Sequence, residues 1–215
     1  MADSFANRDG GGMVLGLVQI IQENAPMLSD VDGAIGDGDH GINMKKGFTL
    51  AGGRLAGGNA GLTESLKTLG TVLLTEIGGS MGPLYGTMFR EMAKAAEGRE
   101  LIDGETFALM LDSACGAIQK LGGAKVGDKT LVDTLDPAAR AFRTALAAGK
   151  SFGDSLLEME SAAEKGKDST KEMVARIGRS ARLGERSKGV LDAGATSCWL
   201  ILKSLGSSAR ELLSR

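Results

Sequence analysis

Apolar residues recur along the chain at three- and four-residue steps. Between Asp103 and Leu121 the stripe is Phe107, Met110, Leu111, Ala114, Ile118 and Leu121, one face of an amphipathic helix. Leu62 to Ile77 repeats the pattern with Leu66, Leu69, Leu73 and Ile77. The same reading predicts helices over Met13–Leu28, Gly41–Leu55, Pro83–Ala96, Thr130–Ala147, Phe152–Lys165 and Gly194–Leu213, with a short turn near Lys171–Ile177. Two starts carry capping signals: Ser151 with Asp154, and Thr130 with Asp133. Pro137 is expected to kink the helix begun at Thr130. No segment alternates with period two. The nearest candidate strand, Thr71–Ile77, continues the helical stripe begun at Leu66. The fold class is therefore all-α, and about eight helices with short connections imply an antiparallel up-and-down bundle.

Composition narrows the functions open to such a bundle. The chain has 215 residues, 25 Lys+Arg against 27 Asp+Glu, and only 4% aromatics. Residues 1–215 read as a single domain. A mildly acidic chain poor in aromatics lacks the basic, stacking surface of a nucleic-acid binder. Cys115 and Cys198 stand far apart with no CxxC, so neither a zinc site nor a disulfide framework is expected. The opening MADSFANRDGGGM has no signal-peptide pattern, and no apolar run approaches membrane-spanning length. A reducing cytoplasm is the expected setting, with no membrane partner. The single histidine, His40, excludes a His-pair metal site or a His relay within one chain.

There are 33 glycines against 3 prolines, and many fall in four loops: Ile35–Gly41, Gly78–Pro83, Gly122–Thr130 and Arg182–Ser197. In an up-and-down bundle such loops can gather at one end. Three formal motif matches in them fail. Gly36, Gly38 and Gly41 have dinucleotide-fingerprint spacing but no preceding strand, and carboxylates occupy the intervening positions. Asp128 interrupts a Walker-like GGAKVGDKT. Ala34 sits where a calcium loop starting at Asp30 needs a ligand. What remains is an acidic loop, with Asp32, Asp37 and Asp39 around the flexible Gly38. Like charges held ~4 Å apart repel by about 4 kcal/mol per pair at an effective dielectric near 20, so convergent acids call for a cation. Oxygen donors with open positions suit Mg²⁺ carrying phosphates. The alternative, a solvated acidic turn, stays equally open on composition alone. His40 and Asn43 follow on a helical first turn, where free N–H groups favour anions.

Asp30–Phe48 (DVDGAIGDGDHGINMKKGF) resembles the nucleotide-binding L subunit of dihydroxyacetone kinases. Gly78–Phe89, Gly123–Asp133 and Leu183–Ser197 are similar to that family's three other signatures, in the same order. The resemblance implies an eight-helix, antiparallel up-and-down barrel holding ADP (or ATP) at one open end. It implies Asp32, Asp37 and Asp39 as ligands of two Mg²⁺ ions. It further implies nucleotide contacts from His40, Gly41, Ile42 and Asn43, from Ser80 and Met81, from Gly122, Leu131 and Arg179, and from Asp192, Ala193 and Gly194. Met81 replaces a family serine, while Val190 and Ala193 replace a His and a Pro, which leaves the last loop less fixed.

By the same resemblance the chain is one part of a phosphotransferase. A separate K subunit holds dihydroxyacetone or a related hydroxyketone through its own histidine. A phosphohistidine carrier, the M subunit, rephosphorylates a retained ADP. An ATP-dependent ketose kinase with exchanging nucleotide is the alternative, as is a nucleotide-sensing module without turnover; a homodimer is left open. Catalysis rests on charge neutralisation and alignment, with no protein nucleophile. Cys115, Cys198 and the methionines are read as core, Trp199 as a packing anchor, and Lys125, Lys129 and Arg186 as solvated charges.

Overall fold

The apolar stripes become eight α-helices in the computed structural model, which describes residues 3–215; the first two positions of the opening stretch lie outside the described residues. They are α1 (Gly11–Gly33), α2 (His40–Leu55), α3 (Leu62–Glu76), α4 (Met81–Ala95), α5 (Gly104–Gly122), α6 (Val132–Ala147), α7 (Phe152–Ser169) and α8 (Ala193–Leu213). Each packs on its neighbours in sequence, and α8 packs back on α1. The ring is closed. Buried Leu, Met and Phe side chains from every helix fill its interior. The connections reverse the chain at each step, so the even-numbered helices start, and the odd-numbered ones end, at the same end of the ring.

Several boundaries differ from the sequence reading. Helix α1 runs five residues past Leu28 and carries Asp30 and Asp32 on its last turns, because nothing before Gly33 stops it. Helix α4 starts at Met81, with Pro83 in its first turn, where a missing N–H costs nothing. Helix α6 starts at Val132 and continues through Pro137 to Ala147. The turn expected near Lys171–Ile177 is a 3₁₀ turn over Thr170–Glu172, followed by another 3₁₀ stretch over Ser180–Ser187. The capping signal at Ser151 is realised: its hydroxyl accepts from Asp154 N at 3.1 Å. At Thr130 the roles are reversed, with the Asp133 carboxylate accepting from Thr130 N at 2.7 Å.

The all-α reading missed a small sheet. Strand β1 (Ser4–Ala6) pairs antiparallel with β2 (Leu101–Asp103), Phe5 opposite Ile102. Three residues are too few to display a period, and only the buried central pair gives the ribbon its face. Phe5 stacks 6.2 Å from Phe152, which tilts against Phe107 and meets Phe142 edge-on, so the ribbon is pinned to the helical core.

The glycine surplus is only partly a loop feature. A methyl group at Gly70 on α3 would lie 2.8 Å from Gly86 O, and one at Gly86 on α4 would lie 2.9 Å from Gly70 O. The two helices touch backbone to backbone there. We expect Gly70→Ala to destabilise the protein by about 1–3 kcal/mol, because the neighbouring main chain has to move. Urea denaturation measures this.

Candidate functional site

Because the even helices start together, four helix N-termini face one cavity of about 400 Å³. Asp39 and His40 come from α2, Ser80 and Met81 from α4, Thr130 and Leu131 from α6, and Asp192 to Gly194 from α8. Asp32 enters from the end of α1 and Gly122 from the end of α5. Ile177 to Ser180 reach over from the segment between α7 and α8. A second cavity of about 500 Å³, lined by Arg8, Asp9, Leu55, Asn59 and Ser65, gathers no comparable cluster of carboxylates.

The three aspartates converge. One carboxylate oxygen from each of Asp32, Asp37 and Asp39 lies within 4.8 Å of the other two. Arg179 pairs with Asp37, and its guanidinium lies 3.8 Å from Asp39. One cation thus faces three anions, a surplus of negative charge that a divalent ion would relieve. All donors are hard oxygens, which fits Mg²⁺.

The helix starts around this cluster differ in how their N–H groups are met. On α8, Asp192 accepts from Ala195 N at 2.7 Å. Just before α6, Asp133 accepts from Gly127 N and Thr130 N at 2.6 and 2.7 Å. Among the described residues, the N-cap side chains of α2, α4 and α6 make no capping hydrogen bond, and the first N–H of α2 is taken by Asp32. The remaining N–H groups and positive dipole ends of α2 and α4 flank the acidic loop, a setting suited to phosphate oxygens. Leu84, Leu121, Leu131 and Ile177 give the same cavity an apolar wall.

Burial sets the ionisation of the groups at the floor. Desolvation pushes the half-buried His40 down to about 4, against the pull of the Asp32 charge. His40 N donates to the Asp32 carboxylate at 3.3 Å, and Nε2 lies 2.9 Å from Ser197 Oγ. Asp192 is pushed up to about 7, chiefly by burial, with Asp133 and Asp32 adding and the Ala195 N–H and Lys129 opposing. Burial also raises the Tyr85 phenol well above its ordinary value.

Of the site residues expected from sequence, Asp32, Asp37, Asp39, His40, Asn43, Ser80, Met81, Gly122, Leu131, Arg179, Asp192, Ala193 and Gly194 line this one cavity. Gly41 and Ile42 do not. Gly41 packs against α1, where a methyl group would lie 2.0 Å from Ala25 O, and Ile42 is 65% exposed. Met81 is buried and Ser80 exposed at the α4 start.

Lys129, expected as a solvated charge, is buried. Its Nζ donates to Ser187 O and Val190 O at 2.6 Å and to Met173 O at 3.3 Å. Desolvation lowers its pKa, against the pull of Asp192 and Glu172. It is the only non-glycine residue with positive φ among the described residues, at 62°. This side chain ties the segment bearing Arg179 and Asp192 to the α5–α6 loop. Lys125 and Arg186 are exposed, Cys115 and Cys198 are buried in the core, and Trp199 is half-buried beneath Lys167 and Lys203. Tyr85 and Ser197 were not singled out. The signal for Tyr85 was its being the chain's one tyrosine within the Gly78–Phe89 signature, since a buried phenol needs a polar partner.

The closed helical ring gathers an acid cluster and four helix starts at one mouth. The chain belongs to the DAK2 domain family, whose model matches residues 34–207. It is 39% identical over 186 residues to the "PEP-dependent dihydroxyacetone kinase 1, ADP-binding subunit DhaL" of Listeria innocua, covering 86% of this chain and 88% of that one. It is 37% identical over 194 residues to the ADP-binding subunit DhaL of the PEP-dependent dihydroxyacetone kinase of Escherichia coli, covering 89% and 92%. The fold matches the crystal structure of the dihydroxyacetone kinase from C. freundii in complex with AMP-PNP and Mg²⁺, with a TM-score of 0.70 at 23% identity. That match covers 97% of this chain and 35% of the other. No helix among the described residues is long and apolar enough to cross a membrane.

Two outcomes follow from the loop geometry. Lys129→Met leaves three carbonyls without their shared donor, and we expect a loss of roughly 1–3 kcal/mol in denaturant titrations, with residues 170–192 becoming protease-sensitive. Ala193→Pro places proline at the first position of α8 behind an extended Asp192, with φ −80° and ψ 132°. We expect it to stabilise the protein by about 0.4–1 kcal/mol in thermal melts.

Proposed function

We propose that the chain is the ADP-binding L subunit of a phosphoenolpyruvate-dependent dihydroxyacetone kinase. In this reading ADP and two Mg²⁺ sit at the open end of an eight-helix up-and-down barrel. The observation that carries the proposal is the convergence of Asp32, Asp37 and Asp39 beside the uncapped starts of α2 and α4. Support comes from relatives of the same length class that are named as ADP-binding subunits.

Asp32, Asp37 and Asp39 would hold the metal ions, and bound Mg²⁺ supplies neutralisation of phosphate charge. The chain's own residues do the rest. Main-chain N–H groups at the starts of α2 and α4 orient the phosphate oxygens, and the exposed Ser80 hydroxyl stands beside them. Arg179 closes over the phosphates from the α7–α8 segment. Leu84, Leu121, Leu131 and Ile177 enclose the apolar face of the base, with Gly122 leaving room beside Leu84. Asp192, Ala193 and Gly194 complete the nucleotide loop, and Asn43 lines the cavity with His40. Alignment and charge neutralisation of this kind are what phosphoryl transfer asks of a protein.

The acceptor, dihydroxyacetone or a related hydroxyketone, is held by a K subunit, and a phosphohistidine carrier rephosphorylates the retained ADP in the cytoplasm. Denaturing the purified protein should release ADP in near-stoichiometric amount. Asp37→Asn and Asp39→Asn should fold normally but lose Mg²⁺-dependent ADP binding by at least about a hundredfold, as carboxylate ligands are removed. Calorimetric titration with Mg–ADP reads this out, and unchanged affinity in both variants would overturn the assignment. Turnover with a K subunit on phosphoenolpyruvate and its carriers, but not on ATP, identifies the donor.

A further inference from the structure

Below the cavity floor a chain of polar groups runs inward from His40. Ser197 Oγ lies 2.9 Å from His40 Nε2, Tyr85 Oη lies 2.6 Å from Ser197 Oγ, and Gly194 O lies 2.9 Å from Tyr85 Oη. Ser197 Oγ also lies 3.1 Å from Gly194 O. Ser197 and Tyr85 are both buried, the latter 1% exposed, so no solvent supplies a missing hydrogen.

The hydrogens can be counted. The three shortest contacts each need one, and Ser197 and Tyr85 supply one apiece, while a carbonyl supplies none. The third has to come from the imidazole, on Nε2. The chain then runs one way, from His40 Nε2–H to Ser197 Oγ, from Ser197 O–H to Tyr85 Oη, and from Tyr85 O–H to Gly194 O. The other tautomer makes Ser197 donate to Nε2. Tyr85 then has one hydrogen for two oxygens, and two buried oxygens face each other with none between them. Within the protein, the ring's hydrogen-bonding partner is this neutral hydroxyl, and the Asp32 carboxylate takes the main-chain N–H of His40 instead.

We propose that Ser197 and Tyr85 are positioning residues for His40: they hold its ring with the proton-bearing Nε2 turned to Ser197, which leaves Nδ1 as the nitrogen on the cavity side. The effect on Mg–ADP binding rests on the nucleotide reading above; the state of the ring does not.

His40 is the only histidine, so its ring nitrogens can be read by ¹⁵N–¹H long-range NMR correlation without residue assignment. In the wild-type protein at pH 7.5 we expect a pyrrole-type Nε2. A pyridine-type Nε2 there overturns the proposal whether or not any variant folds. Ser197→Ala should average the two signals and weaken Mg–ADP binding by about tenfold, the loss of one hydrogen bond. Tyr85→Phe should average the signals by freeing the Ser197 hydroxyl to donate to Nε2, and Ser197→Thr should restore the wild-type signals and affinity. Ring signals unchanged in folded Ser197→Ala also overturn it. A wild-type protein that binds no Mg–ADP would sink the kinase-subunit reading while leaving the ring assignment to be judged on its own signals.

Discussion

Every α-helix begins with main-chain N–H groups that have no partner within the helix. In a closed antiparallel ring of eight, four such starts are brought to the same mouth. The protein answers some of these groups itself: Asp192 caps α8, Thr130 Oγ1 accepts from Val132 N at the start of α6, and Asp32 accepts from His40 N at the start of α2. At the starts of α2 and α4, among the described residues, the N-cap side chain makes no capping hydrogen bond. Those two flank Asp32, Asp37 and Asp39, so opposite fields meet over a few ångströms. A ligand carrying both cations and anionic oxygens complements both fields together, whereas a cation or an anion alone complements only one. Leu84, Leu121, Leu131 and Ile177 complete the cavity with an apolar wall.

Holding that mouth in shape falls to buried polar contacts that take no part in ligand chemistry. Lys129 gathers three carbonyls from the α7–α8 segment, the part of the chain with the least regular structure. The same segment carries Arg179 to the acid cluster and ends in the Asp192 cap. Thr170 Oγ1 accepts from Asp192 N at 3.0 Å and anchors the other end. These bonds explain how the α8 entry stays defined with Val190 and Ala193 in place of the family's His and Pro. The Val190 carbonyl serves Lys129 whatever its side chain, and Asp192 caps the helix with or without a proline behind it.

Much of the architecture was legible because helices announce themselves locally. The stripes of α3 and α5 locate those elements within a residue or two, and the Ser151 cap marks the start of α7. The acidic loop was legible too, since three aspartates around a glycine are an electrostatic problem before any fold is known. Less legible were features made by distant pairs. The Ser4–Ala6 ribbon exists only because Leu101–Asp103 lies beside it. Gly70 and Gly86 look like helix-weakening residues until the two backbones are seen in contact. Lys129 reads as a surface charge until three carbonyls from residues more than forty positions away surround it.

The sequence by itself determined the periodicity of the helices, the family signatures and the composition of the acid loop, because each depends on residues within a turn or a loop of one another. The tertiary structure decided which of those residues share a cavity and which ring nitrogen of His40 is spoken for. Residues 40, 85 and 197 lie on three different helices, and their hydrogen bonds exist only once the ring has closed. Local pattern can specify an element, but the burial and pairing of a polar group depend on what the rest of the chain brings against it.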